Sequence, residues 1–236
     1  MTLNHWETER DPFVLLDYLF PMRGMDSTEE QPRPSRLYLL ACGRQSWDQL
    51  PRVGRALLEV ADRVLTRSPP EQAVRRSAME LAEEMTHRRG ELDEIAELER
   101  QARSIGLTLP SGEPDASFDP ETWGSLAHLV YFPFAPLTPT YRRIAKGFHS
   151  TSLLREVFGA APRPAYFQPG WRDRNVLGIA QNIDDGRDFS SMPLLADALQ
   201  DAGCTDPYIL EHCRPPRGHV RGCWVIESLL HHRGKK

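Results

Sequence analysis

Residues 191–213 read SMPLLADALQDAGCTDPYILEHC and contain the start and stop signals of two short helices. Pro193 is typical of the first turn of a helix, and Gly203 is typical of the position just after a helix end. Asp206 and Pro207 repeat the start signal, because the Asp side chain accepts from the free amides of the first turn and proline needs no partner there. The stretch therefore predicts two short helices with defined ends.

The same signals recur towards the N-terminus. Asp11-Pro12 and Asp119-Pro120 predict further helix starts, and apolar residues recur at the helical period in segments such as 53–64. No long stretch alternates polar and apolar residues in the manner of a strand. We therefore predict an all-α fold, an irregular multi-helix bundle with short capped helices in its C-terminal third and little or no sheet.

Breaks in the helical pattern predict the domain organisation. Residues 1–105 are expected to form an N-terminal helical bundle, with a mobile loop near residues 21–34 where proline, glycine and acidic residues lack periodicity. Residues 106–120 contain two glycines and three prolines and are expected to be a linker. Residues 121–236 then form a C-terminal helical region, which either folds separately or packs with the bundle as one domain.

Composition limits the class of protein. The chain has 236 residues, of which 40% are hydrophobic and 26% charged, with a formal net charge of -4. No basic excess is available for phosphate neutralisation, so nucleic acid is not favoured as a partner. The four cysteines, without a signal segment or an apolar run long enough for a membrane helix, favour a cytoplasmic protein with no membrane association.

Sulfur and imidazole side chains are concentrated near the C-terminus. The members of this group are Cys204, His212, Cys213, His219 and Cys223. Soft donors of this kind suit tetrahedral zinc. The spacing differs from that of common zinc modules, because only His219 and Cys223 form a local pair. On the final predicted helix, these two residues would share a face and could meet one ion.

Three interpretations of this C-terminal group stay open. The cysteines can be small buried hydrophobes and the histidines hydrogen-bond partners of free carbonyls, in which case no cofactor is expected. A structural zinc ion is the second interpretation. The third is a Cys223 nucleophile with His219 as its base, which would need an exposed thiolate of low pKa and an orienting group.

Aromatic residues form a second notable group, because they fall in or beside proline-rich stretches that cannot be regular helix. We select from them Trp123, Tyr131, Phe132, Phe134, Tyr141 and Trp171. Rings in such places either pack beneath loops or form an exposed docking surface, since aromatic side chains are enriched in interface cores.

Several phrases of the sequence resemble those of a known family. They are LLREVFG at 153–159, PLLADAL at 193–199, DAGCTD at 201–206 and HVRGCW at 219–224, with a looser N-terminal phrase from Trp6 to Pro12. Together they resemble an uncharacterised, mostly helical bacterial family common in planctomycetes. Gly43 stands where that family often has a second cysteine, which weakens a metal role for Cys42. The resemblance implies a helical fold and assigns no activity.

Motifs for common enzyme chemistry are absent from the sequence, including the phosphate-binding G-x-x-x-x-G-K-[ST] loop and the H-E-x-x-H zinc helix. The leading hypothesis is therefore a non-enzymatic helical module that binds another protein. One alternative is a zinc-binding or Cys/His-dependent enzymatic module centred on the C-terminal group. The other is a nucleic-acid-associated protein whose basic face is assembled by the fold.

Overall fold

The computed structural model describes residues 1–22, 33–65, 70–112, 115–131, 133–134, 149–159, 167–215 and 218–231, without the side chains of 20–22. The chain divides into two compact units. We call Met1–Leu15 with Thr151–Lys236 the terminal unit, and Leu16–Ser150 the central unit.

All regular structure in the described ranges is helical. These ranges contain twelve α-helices and three short 3-10 helices, and they contain no strand. The predicted all-α class is therefore confirmed. None of the described helices combines the length and apolar character needed to cross a membrane.

The central unit is built around one helix that touches most of the others. After α2 (Pro12–Met22), which spans the boundary between the units, its helices are α3 (Arg33–Gln45), α4 (Arg52–Val64), α5 (Gln72–Thr86), α6 (Leu92–Ser104) and α7 (Pro120–Tyr131). Helix α4 contacts α3, α5, α6 and α7. Its apolar residues Val53, Leu57 and Val60 are fully buried, as the helical period predicts.

The segment predicted as a linker, 106–120, lies within the central unit. The backbone amide of Arg52 donates to Asp115 Oδ2 at 2.7 Å, and the Arg52 guanidinium donates to the carbonyl of Gly112 at 3.1 Å. These contacts tie the segment to the start of α4. Most of the loop predicted near 21–34 falls outside the described residues, and its last residues belong to α3.

The terminal unit consists of short helices, as predicted for the C-terminal third. They are α1 (Leu3–Thr8), α8 (Thr151–Phe158), α9 (Arg174–Gly186), α10 (Met192–Asp201), α11 (Pro207–Cys213) and α12 (Trp224–His231). Helix α9 packs against α10 and α12, α10 packs against α11, and α8 contacts α12. Fully buried apolar side chains such as Val176, Leu195 and Ile209 form the core between them.

Aspartate caps set the helix starts that the sequence predicted. Asp11 accepts from the amide of Phe13 at 2.9 Å and Asp119 from the amide of Thr122 at 2.9 Å. In the terminal unit, Asp206 accepts from the amide of Tyr208 at 2.9 Å and so defines the start of α11. Each cap satisfies an amide that the helix itself leaves free.

The final helix begins later than the sequence pattern predicted. The prediction placed both His219 and Cys223 on that helix, whereas α12 starts at Trp224. Gly222 has φ 93°, which a right-handed helix does not allow, and the amide of Cys223 closes a turn onto the carbonyl of Val220 at 3.0 Å. His219 and Cys223 therefore do not share a helix face, and a turn positions them instead.

Candidate metal centre

Four buried donor side chains converge in the terminal unit. They are Glu156, His212, His219 and Cys223, and we call them the Glu–His–His–Cys cluster. Each offers one donor atom, and the four atoms all lie within 4.8 Å of one another. The arrangement could hold a metal ion.

Three separate pieces of the chain supply the cluster. Glu156 lies on α8, and His212 is the next-to-last residue of α11. His219 and Cys223 come from the turn that precedes α12. The Asp206 cap fixes where α11 begins and therefore which way His212 points.

The distances within the cluster show convergence on a common point. His212 Nε2 lies 3.2 Å from Cys223 Sγ and 3.5 Å from Glu156 Oε2, while His219 Nδ1 lies 2.9 Å from Glu156 Oε1. A neutral imidazole nitrogen has either one proton or one lone pair to share, so Nε2 of His212 can satisfy only one of its two neighbours by hydrogen bonding. A cation between them would satisfy both.

Part of the cluster has the spacing expected between ligands of a tetrahedral zinc ion. Zinc bonds of about 2.0–2.3 Å at the tetrahedral angle place neighbouring ligand atoms roughly 3.3–3.7 Å apart. The two contacts of His212, at 3.2 and 3.5 Å, are close to that separation. The His219–Glu156 contact at 2.9 Å is shorter and would lengthen slightly around an ion.

Glu156 is held in its charged form. Burial acts to raise its pKa, but hydrogen bonds and charge from His212 and His219 outweigh burial and lower the pKa to about 2. A carboxylate that is charged and almost fully buried is a strong ligand for a cation. Its two oxygens face different histidines, so the carboxylate joins the two imidazoles.

Cys223 is held as a thiol as long as no cation is present. Burial raises its pKa well above the ordinary value, and the charge of Glu156 raises it further. A bound zinc ion reverses this effect, since a coordinating thiol is deprotonated outright. The same electrostatics disfavour Cys223 as a free thiolate nucleophile.

The structure places a different histidine in contact with Cys223 from the one that the nucleophile hypothesis named. Its proposed base, His219, is hydrogen-bonded to Glu156, and it is His212 that lies beside the Cys223 sulfur. A catalytic relay would place the cysteine and the carboxylate on opposite nitrogens of one imidazole. Here both approach Nε2 of His212, so this imidazole is not placed as a relay between them.

Aromatic packing limits the movement of the imidazole rings. The His212 ring lies 5.0 Å from the His219 ring and 5.1 Å from the Trp224 ring, measured between centroids. Trp224 in turn stacks on Tyr208 at 5.1 Å. The donors are therefore held in place by packing as well as by hydrogen bonds.

Of the five residues that the sequence offered as metal ligands, three belong to the cluster. Cys204 and Cys213 do not, because both are buried in the hydrophobic core of the terminal unit. Cys213 follows His212 directly on α11, and consecutive helical residues point about 100° apart, so only one of the two faces the centre. Burial raises the pKa of Cys213 to about 12.

Glu156 is the member of the cluster that the sequence did not predict. It lies 56 positions before His212, which is too far for local spacing to reveal. One feature could have pointed to Glu156: it lies on α8 and is buried there together with Leu154, Val157 and Phe158. A carboxylate on a buried helix face needs a partner, and that expectation could have identified it.

Two of the six aromatic residues predicted as a docking surface are buried inside the units. Trp123 is fully buried and its Nε1 donates to the carbonyl of Met85 at 3.0 Å, and Trp171 is 7% exposed and packs edge-on against Phe167. These two rings pack in the hydrophobic cores and are not exposed for contact with a partner. Tyr131 and Phe134 are half-buried, whereas Phe132 and Tyr141 lie outside the described residues.

A cavity of about 620 Å³ lies against one side of the cluster. Its wall includes Glu156 and His212 together with Trp6, Glu7, Ser152, Leu153, Arg155, Tyr208, Glu211 and Gly218. The volume is in the range of small-molecule sites. Two of the four donor residues are thus reached from a space large enough for a ligand.

Comparison with known proteins gives no relative from which to transfer an activity. No family model, curated protein or solved structure matches the chain. The Glu–His–His–Cys cluster is therefore the main basis for a functional conclusion.

Proposed function

We propose that this protein is a zinc-binding protein whose terminal unit holds one ion through Glu156, His212, His219 and Cys223. The observation that carries the proposal is the convergence of four buried donor atoms within 4.8 Å of one another. Buried carboxylates, imidazoles and thiols are rarely collected in one place without a partner that offsets their desolvation.

The donor set favours zinc over other abundant cations. Magnesium and calcium take oxygen ligands almost exclusively, and this cluster contains one carboxylate beside two imidazoles and a sulfur. Zinc accepts all three ligand types and a tetrahedral arrangement. Cobalt(II) has similar preferences and provides a spectroscopic substitute.

An ion in this position would join α8 to the segment between α11 and α12. The ligands Glu156 and Cys223 are far apart in sequence, so one ion would close a long loop of the chain. Stabilisation of the terminal unit is therefore the least that the ion contributes. Because the ligand geometry is absent from the unfolded chain, binding energy becomes folding energy.

The proposal is tested by comparing two cysteines of the terminal unit. Cys213 and Cys223 are both fully buried, and only Cys223 is in the cluster. We expect wild-type protein reconstituted with zinc to retain one equivalent after dialysis, measured by mass spectrometry of the metal. The variant Cys223→Ala should bind zinc roughly 100-fold more weakly or worse, whereas Cys213→Ala should keep one equivalent.

Two results would overturn the zinc proposal. One is the absence of stoichiometric zinc in reconstituted, folded wild-type protein. The other is an equal loss of zinc in Cys213→Ala and Cys223→Ala, since that would trace the loss to damaged packing. Circular dichroism of each variant establishes that the helices are intact.

The interaction hypothesis drawn from the sequence stays a second proposal, with less support. The buried positions of Trp123 and Trp171 remove two of its six residues, and Phe132 and Tyr141 lie outside the described ranges. Such a surface would not include Trp123 and Trp171, while the half-buried Tyr131 and Phe134 stay candidates for it.

A further inference from the structure

The four donors of the cluster differ in their access from outside. The side chains of Glu156 and His212 are each 9% exposed, and both residues line the cavity. The side chain of His219 is 2% exposed, and Cys223 is fully buried. The cluster thus has a closed side and a side that faces open space.

Of the two donors on the open side, Glu156 is better able to move than His212. A carboxylate can bind a metal through one oxygen or two, and it can shift between these modes. Glu156 supplies that ligand, whereas the more buried side of the cluster is formed by His219 and the thiol of Cys223. A site with three fixed ligands and one variable position is the arrangement of catalytic zinc.

We infer that an ion held by this cluster has an exchangeable coordination position that opens into the cavity and takes a small carbonyl-bearing molecule. The inference rests on the proposed zinc site and adds the kind of ligand that the site accepts. A structural zinc ion, in contrast, would be closed to added ligands.

The wall of the cavity indicates the charge of that ligand. Glu7 and Glu211 place carboxylates on the wall in addition to Glu156. The positive charge among the wall residues comes from Arg155, whose guanidinium donates to the carbonyls of Trp6 and Glu9. The charge of a divalent ion would be offset by Glu156 and the Cys223 thiolate that bind it, which leaves Glu7 and Glu211 against Arg155 on the wall, so a phosphate or another multiply charged anion would meet net negative charge. An uncharged or amine-bearing molecule would not.

The polar side chains of the wall suit a carbonyl compound. Ser152 and Tyr208 add hydroxyl-bearing side chains to the wall, while Trp6 and Leu153 provide apolar surface. Zinc polarises a carbonyl oxygen that binds to it. The cavity therefore combines access to the proposed metal position with hydroxyl-bearing and apolar side chains on its wall.

The inference is tested with the full chain loaded with cobalt(II), whose visible absorption reports its coordination. The probe is acetohydroxamic acid, a small carbonyl compound that is uncharged in solution and binds metal ions through its carbonyl oxygen and its hydroxyl oxygen, which releases a proton to solvent; inorganic phosphate is the comparison. We expect acetohydroxamic acid to change the cobalt bands saturably. Phosphate at the same concentrations should leave them unchanged.

A pair of variants tests the route through the cavity. Ser152→Trp places a large side chain in the wall, and Ser104→Trp places the same side chain on an exposed position of α6 in the central unit. We expect Ser152→Trp to bind cobalt normally and to weaken the response to acetohydroxamic acid at least tenfold. The Ser104→Trp variant should respond like wild type.

Each alternative outcome has a distinct meaning. If cobalt binds and its absorption bands do not change when acetohydroxamic acid is added, the exchangeable position is refuted and the metal site is supported. A phosphate response as large as the acetohydroxamic acid response would refute the inferred ligand class. An unchanged response in Ser152→Trp would refute the cavity route. If cobalt does not bind at all, the proposed zinc site itself fails.

Discussion

Gly159 directly follows α8, the helix that carries Glu156. Both its backbone conformation and its neighbours disfavour a side chain at this position. Its φ is 63°, a left-handed value, and a Cβ there would lie 2.9 Å from Cγ of Trp224. The carbonyl of Gly159 accepts a hydrogen bond from Trp6 Nε1 at 2.8 Å. A single residue thus fixes the end of α8 against the ring that packs on His212.

The variant Gly159→Ala should destabilise the protein by about 1–3 kcal/mol, because it adds backbone strain and a clash with the Trp224 ring. Gly178→Ala is the matched control, since Gly178 lies inside α9 with nothing near the added methyl group. The control should be neutral or stabilising by roughly 0.5–1 kcal/mol. Urea unfolding measures both, and equal effects of the two variants would contradict this account of Gly159.

Among the helices, α11 depends on its N-terminal cap for stability. The helix has seven residues, which is too short to be stable on propensity alone, and it carries His212. Asp206 satisfies one of its free amides, and the buried side chains of Ile209 and Leu210 join it to the core.

We expect Asp206→Ala to destabilise the protein by about 1 kcal/mol, because the amide of Tyr208 loses its acceptor. Asp206→Asn should be close to wild type, since asparagine caps as well as aspartate does. Urea unfolding at neutral pH compares the two. A loss as large in the asparagine variant would show that the charge of Asp206, and not the cap, is responsible.

The helix starts were easier to predict from the sequence than the contacts between helices. The helix starts at Asp11, Asp119 and Asp206 follow from local chemistry, so the sequence is sufficient to place them. The start of α12 was misplaced because the apolar period continues through a turn that Gly222 allows. Glu156 was missed because its partners are distant in sequence, and only the packing of α8 brings them together.

On the scale of the whole molecule, the cluster belongs to one unit. That unit combines the first 15 residues with residues 151–236, and all four donors come from its C-terminal part. The central unit contributes no donor to this cluster. Metal binding is therefore expected to act first on the terminal unit, whatever activity the protein as a whole performs.

X-ray absorption at the zinc edge of the reconstituted protein tests the proposed coordination most directly, because the signal depends on the atoms around the ion. The account predicts one sulfur at about 2.3 Å, from Cys223, and nitrogen or oxygen neighbours at about 2.0–2.2 Å from the two histidines and Glu156. Two or more sulfurs would place Cys204 or Cys213 in the site and contradict the cluster. A shell without sulfur would contradict the coordination by Cys223 on which the proposed site depends.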